Sequence, residues 1–335
     1  MRRNIALSTL LAVLLVLTWG RGHMPRPDEN LRISAVPVAM PPPRVLARYL
    51  GPFRFEGAWH LISRDWRFFG YSSMLPQPNG DILAVNDAGG YLRFSPPAAA
   101  AHRPQAGWFS FRDDKTDKLA HDSESVAYDS RTGRYWLGLE GQNAIVRFDA
   151  RMEEEARVRP RTMARWGNNT GPEAMARLPD GRFITIREVT RSWGEARLHE
   201  GVVFDGDPTV HRDGHKFLFD GPDNFSVVDM ALLPDGRALI LMRRFLWPLP
   251  MRFAGRIVIA DTAQLRPGRI WHSIPLASLA AVLPVDNFEA IGVVPQSDHR
   301  IVIWLMSDDN DMRVLQRTLL WKLSVDPRQL PWPAR

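Results

Sequence analysis

The feature that most constrains this chain is a repeat of roughly fifty residues. Five segments share one outline: a polar or acidic residue opening a short apolar strand, a tight turn, and a second apolar strand closing on another polar residue. Taking Ser73, Glu124, Glu173, Asp229 and Glu289 as equivalent openers gives spacings of 51, 49, 56 and 60 residues. The closers, Asp87, Glu140, Glu188, Arg243 and Asp308, follow 14 to 19 positions later. Asn79-Gly80, Asp180-Gly181 and Asp235-Gly236 supply hairpin turns between them. An isolated hairpin cannot bury both faces, so such units must pack side by side, and the period leaves room for two further strands in each. The expectation is an all-β fold: a single β-propeller of about six blades, with five or seven also open. Five would come from the repeats over residues 70–326. The sixth would join residues 44–66 to a strand at 319–325, so that N- and C-terminal strands pair to close the ring.

The ends of the chain read differently. After Arg2 and Arg3, residues 5–19 form an apolar run broken only by Ser8, Thr9 and Thr18. It is short of the roughly 20 residues a bilayer span needs, yet lacks a strong small-residue cleavage site. A cleaved signal and a retained anchor therefore both stay open for residues 1–22, and the protein is expected to be exported, periplasmic or held at the inner membrane. Residues 23–43 carry six prolines before the first regular segment and read as a linker, leaving 44–330 as the folded domain. With no cysteine, disulfides, thiolate chemistry and sulfur-ligated zinc are excluded. The formal charge is +6, but the basic residues are scattered without a dense run, so no nucleic-acid partner is expected and the chain reads as a monomer.

The chemistry lies in the repeat. Antiparallel pairing puts the start of one strand beside the end of the next, so radial repetition gathers Asp87, Glu124, Glu140, Glu173, Glu188, Asp229, Glu289 and Asp308 on one rim. Carboxylates so crowded need cations, and oxygen-only donors favour Ca²⁺ or Mg²⁺. The expected metal ligands are Asp87, Glu124, Glu140, Glu173, Glu188, Glu289 and Asp308, with Ca²⁺ as the cofactor. Arg187, Arg243 and Arg244 are the expected clamp on an anionic substrate. Against this stands the plainer reading that such acids cap turns and satisfy backbone N–H groups. Other signatures are missing: Ser72 and Ser73 lack a nucleophile elbow, and His211 with His215 is a poor metal pair.

Asp122-Ser-Glu-Ser-Val-Ala, Asn169-Thr-Gly-Pro-Glu-Ala-Met, Asn287-Phe-Glu-Ala-Ile and Ser307-Asp-Asp-Asn followed by Gln316-Arg-Thr-Leu-Leu resemble the phytase-like family named for esterase-like activity of phytase. The resemblance covers residues 44–325. It implies an exported β-propeller that hydrolyses a phosphate or carboxyl ester, with Glu124, Glu173, Glu289 and Asp308 as catalytic candidates. A non-catalytic propeller binding a ligand or partner around a structural Ca²⁺ is the reading from a different class, and a metal-dependent lactonase is a third.

Overall fold

The computed structural model describes residues 31–333 apart from 98, 100, 113–120, 192–193, 247–251 and 313–314, together with residues 9, 10 and 13. The expected signal or anchor, residues 1–22, lies outside the described residues but for those last three positions. No helix among the described residues is long and apolar enough to cross a membrane.

The chain begins with strand β1 (Ser34–Pro37), helix α1 (Pro43–Leu50) and strand β2 (Arg54–Ile62). The linker reading is corrected here: Ser34 to Pro37 pair antiparallel with Trp59 to Ile62. Proline is tolerated there because β1 is an edge strand with only one paired side. Pro43 sits at the start of α1, where its missing N–H costs nothing. Leu46 and Leu50 of that helix are buried in the core shared by the fourth and fifth units.

Five four-stranded antiparallel units follow. They are β3 (Tyr71–Pro76), β4 (Ile82–Asn86), β5 (Gly90–Phe94) and β6 (Gln105–Trp108); then β7 (Ser123–Asp129), β8 (Arg134–Leu139), β9 (Ala144–Phe148) and β10 (Glu154–Val158). The third unit is β11 (Pro172–Arg177), β12 (Phe183–Thr190), β13 (Leu198–Phe204) and β14 (His215–Asp220), and the fourth is β15 (Ser226–Leu232), β16 (Arg237–Leu246), β17 (Arg252–Asp261) and β18 (Ile270–Leu279). In the fifth, β19 (Asn287–Pro295), β20 (Ile301–Asp308) and β21 (Leu319–Val325) are completed by β2. The terminal strands thus pair as expected, but they finish the fifth unit, and the described residues contain no sixth. Three strands of that unit lie at the C-terminal end, so only one place was left for the N-terminal segment to fill.

Second strands are sandwiched between neighbouring units and read as continuous apolar runs, as strands covered on both faces do. All of β20 is buried, as is all of β4. Strands further out alternate, as in β5. The first strands of successive units lie against one another in the order β3, β7, β11, β15, β19, and β19 lies against β3. Outer strands β14 and β18 also pair in parallel, merging the third and fourth units into one sheet.

Side chains tie unit to unit near the first strands. Ser72 Oγ donates to the Ser123 carbonyl at 2.5 Å and Ser125 Oγ to the Pro172 carbonyl at 2.6 Å. The Asp229 carboxylate accepts from the backbone N–H of Ile291 at 2.8 Å. The turn aspartates behave structurally, as the sequence indicates: Asp180 and Asp235 accept from the backbone N–H of Arg182 and Arg237.

Candidate functional site

Every first strand carries a register shift at the same place. Pairing skips one residue between Tyr71 and Ser73, Ser123 and Ser125, Pro172 and Ala174, Val227 and Asp229, and Phe288 and Ala290. The residues left over are Ser72, Glu124, Glu173, Val228 and Glu289. A bulge frees its extra residue from the ladder and re-aims its side chain, which is how three glutamates come to face a common space. Beside each bulge ends or passes the second strand, contributing Asp87, Glu140, Glu188, Arg243 and Asp308 at equivalent positions.

The three glutamates and the five second-strand residues line a cavity of about 180 Å³ that also reaches Asp122, Asn169 and Asn310. All lining residues are charged or amide-bearing, with eight carboxylates against one guanidinium, that of Arg243. All seven expected metal ligands are therefore brought together. The bulges also correct the repeat alignment by one residue in two units. Ser72, not Ser73, is equivalent to Glu124, and Val228 stands where Asp229 was expected. Asp229 points instead into the wall, accepting from Met230 and Ile291 N–H groups, both at 2.8 Å.

Two of the three expected arginines are elsewhere. Successive strand residues face opposite ways, so Arg187 and Arg244 turn away from the space that their neighbours Glu188 and Arg243 enter. Arg187 donates to Thr170 Oγ1 at 3.1 Å, and Arg244 is exposed. Asp122, Asn169 and Asn310 were not singled out, although each stands in one of the motifs that carry the family resemblance. Two glycines permit the close packing. Gly171 approaches Glu140 so closely that a Cβ would lie 2.6 Å from the Glu140 Cα, and its N–H donates to Glu140 Oε1 at 3.2 Å. Gly70, at φ +63°, leaves room for the Asp87 carboxyl, 2.8 Å from where a Cβ would sit.

Residues 67–311 match the family described as "Phytase-like: Esterase-like activity of phytase". The chain belongs to this family. No curated protein matches it. Among solved structures, this phytase-like chain is similar to glutaminyl cyclase from Myxococcus xanthus, at 12% identity and a TM-score of 0.45, covering 82% of this chain and 97% of that one. It is similar to the β-propeller domain of Cps50 (Swd1) from Myceliophteria thermophila, at 9% identity and a TM-score of 0.37, covering 82% of this chain and 100% of that one. It is also similar to hydrazine synthase from Kuenenia stuttgartiensis, at 12% identity and a TM-score of 0.41, covering 72% of this chain but spanning only 66% of that one. Similarities this distant carry no functional argument.

Charge in the phytase-like cavity is unevenly distributed. Arg243 reaches from the fourth unit to both neighbours, donating through Nη2 to Glu188 Oε1 at 3.1 Å and through Nη1 to Glu289 and to Asn287 Oδ1, the last at 2.9 Å. Burial opposes its charge, but Glu188 and Glu173 prevail and hold the guanidinium above its ordinary value. Asn287 Nδ2 also donates to Glu289 at 2.6 Å. Glu289 is thus partnered within the protein, and Arg243 is committed to carboxylates rather than presented to a substrate.

Glu188, which Arg243 reaches, also belongs to a crowd of carboxylates. Carboxylate oxygens of Asp122, Glu124 and Glu140 lie within 4.8 Å of one another, and so do those of Glu140, Glu173 and Glu188. The two trios share Glu140. Burial, then Asp122 and Glu140, push Glu124 well above the usual carboxylate range, and burial with Glu124 and Glu188 does the same to Glu173. Burial raises Glu140 to about 7 against the opposing bonds from Gly171 and Glu173. Asp308, buried near Asp87 and Asp309, is also raised to about 7, although it accepts from Asn310 N–H at 2.7 Å. Groups so placed either hold protons or gather around a cation.

Proposed function

We propose that the five units are the blades of one closed propeller and that the protein is an exported hydrolase of a phosphate or carboxyl ester, assisted by a divalent cation. The observation that carries the reading is the pair of carboxylate trios meeting at Glu140, in a family described by esterase-like activity. An all-oxygen donor set of this kind fits Ca²⁺ or Mg²⁺. Asp122, Glu124, Glu140, Glu173 and Glu188 would hold the ion. When bound, it would offset the charge of the cavity and of a phosphate ester and act as a Lewis acid.

The protein's own groups have distinct tasks in this reading. Asp308, raised to about 7 and outside both trios, is poised to accept and return a proton near neutrality. Glu289 and Arg243 form a fixed pair that shapes the far wall. Ser72 is not the nucleophile, because its hydroxyl is spent on the Ser123 carbonyl; water is the attacking group. Export is supported by Arg2, Arg3 and the apolar residues 5–19.

The test is a hydrolysis screen over phosphate esters, carboxyl esters and lactones, with Ca²⁺ or after chelation, run beside melting curves at increasing Ca²⁺. Hydrolysis that needs the ion is expected, with Ca²⁺ raising Tm in the wild type. Glu140→Gln, which breaks both trios, should abolish that rise, while Glu289→Gln should retain most of it. A Ca²⁺-dependent rise without turnover on any ester would favour the ligand-binding reading, in which the ion is structural. No Ca²⁺ dependence of either quantity would remove the metal and the mechanism together.

A further inference from the structure

The cavity opens at the end of the units where second strands finish and third strands begin, and strand register shows what else lies there. Trp108 pairs with Gly90, just past Asp87. Phe245 stands two residues beyond Arg243, opposite Phe253. Ile62 ends β2 beyond the His60–Leu319 pair. Val282 and Leu315 lie in the links from β18 to β19 and from β20 to β21. All five are exposed, Val282 by 63%, Phe245 by 47%, Ile62 and Leu315 by 44%, and Trp108 by 41%. They form an arc over the fourth, fifth and first units.

Single exposed apolar residues are ordinary, so the surroundings must decide. Arg32, Arg64, Arg244 and Arg252 are exposed along the same arc, and none has an acidic partner among the described residues. At the opposite end the charge is mixed: Val210, 65% exposed, sits in a turn where Asp205 and Asp213 stand beside the exposed Arg212, and Asp207 is paired with Arg147. Of the cavity's eight carboxylates, Asp122, Glu140, Glu173, Glu289 and Asp308 are buried, Glu188 is paired with Arg243, and Asp87 and Glu124 are part-buried.

A second observation concerns where the chain enters. Ser34 pairs with Ile62, so β1 starts at the cavity end, and Leu31 just before it is buried beside Leu61 and Phe68. Ser63 Oγ fixes that point by donating to the Arg32 carbonyl at 2.8 Å. The apolar residues 5–19 are therefore tethered to the cavity end by only 11 intervening residues, 20–30, a reach of at most about 40 Å.

We propose that this arc docks on an anionic lipid surface, with the cavity opening toward the headgroups. Apolar side chains enter the interface while the unpaired arginines meet lipid charge. The inference stands independently of any hydrolytic activity. Because the protein has no cysteine, a polarity-sensitive dye can be placed at one position at a time in the full chain. Phe245→Cys and Val282→Cys report on the arc, while Val210→Cys and Ile270→Cys report on the opposite end. Vesicles of equal parts phosphatidylglycerol and phosphatidylcholine should shift the dye to the blue at the first two positions only. Vesicles of phosphatidylcholine alone should not. Arg244→Ser should weaken partitioning into the anionic vesicles about fivefold.

Each variant is accepted only if its melting curve matches the wild type. Equal shifts at both ends would mean attachment through residues 5–19 without orientation, and would overturn the proposal. So would equal shifts with neutral vesicles, or no shift at all. A shift without vesicles that grows with protein concentration would assign the arc to a second copy of the chain instead.

Discussion

Glu140 shows how much a single position depends on its surroundings. Its carboxylate belongs to both trios, and burial raises it to about 7, as it does Asp308. A carboxyl group with a folded value above its unfolded one contributes stability that is complete below the unfolded value, about 4, and lost as pH rises through the folded value. Buried His199 works at the other end of the scale, because burial holds it down to about 4. In the unfolded chain it is half protonated at about pH 6.5 and neutral by about pH 8.5, so across that window it adds back only about 0.4 kcal/mol of stability. In that window, without divalent cations, stability should fall by on the order of 1 kcal/mol for each of Glu140 and Asp308. Calorimetry in chelator should therefore give a lower Tm at the higher pH, and Ca²⁺ should restore more there because it competes with fewer protons. An apo Tm that rises with pH across the window would contradict the burial argument. The acids were legible as a set because their residue type recurs at repeat spacing. Their division of labour was not, since Glu289 and Glu124 look alike in sequence and differ only in that Arg243 reaches one of them.

At the scale of elements, the turn Asp235-Gly236 was readable, but the residue after it does more than the turn reveals. Arg237 is only 1% exposed at the start of β16. It donates through Nη1 to the Leu330 carbonyl at 2.7 Å and through Nη2 to the Pro327 carbonyl at 2.7 Å, while Asp235 accepts from the same guanidinium at 2.5 Å. Trp332 covers it, with 4.4 Å between the guanidinium carbon and the ring centre. The arginine thereby fastens the segment after β21 onto the fourth unit. Arg237→Met should cost about 1–3 kcal/mol in urea denaturation and should open residues 327–333 to carboxypeptidase. Wild-type resistance to the enzyme in that variant would show that packing alone holds the tail. No periodicity announces such a contact, because its acceptors are backbone carbonyls about ninety positions away. The bulges were hidden for a related reason. A one-residue shift appears in pairing and not in composition, so Asp229 could pass for a rim acid beside its true equivalent, Val228.

For the whole molecule, the repeat spacing carried the fold class, while the number of units turned on how the ends are shared. The fifth unit borrows β2 from the other end of the chain, so the terminal strands were easily taken for an extra unit. Their pairing is also where an arrangement of five units joined in this way is most vulnerable. Strand β2 covers the hydrogen-bonding edge of β21, and Phe55 packs edge-on against the fully buried Trp321, ring centres 6.0 Å apart. A chain lacking residues 1–62 would expose that edge together with the Trp321 ring, a template for pairing with other chains. It should lose the single cooperative unfolding transition and aggregate, even though the cavity residues all remain. A peptide of residues 31–62 added during refolding should restore soluble protein, because an added strand can complete an open sheet edge through main-chain hydrogen bonds. Light scattering and denaturation curves, with and without the peptide, make the comparison. If the shortened chain stayed monomeric with the full-length midpoint, the terminal pairing would be decoration on a fold that closes without it, and the five units would have to be held together by β19 against β3 alone.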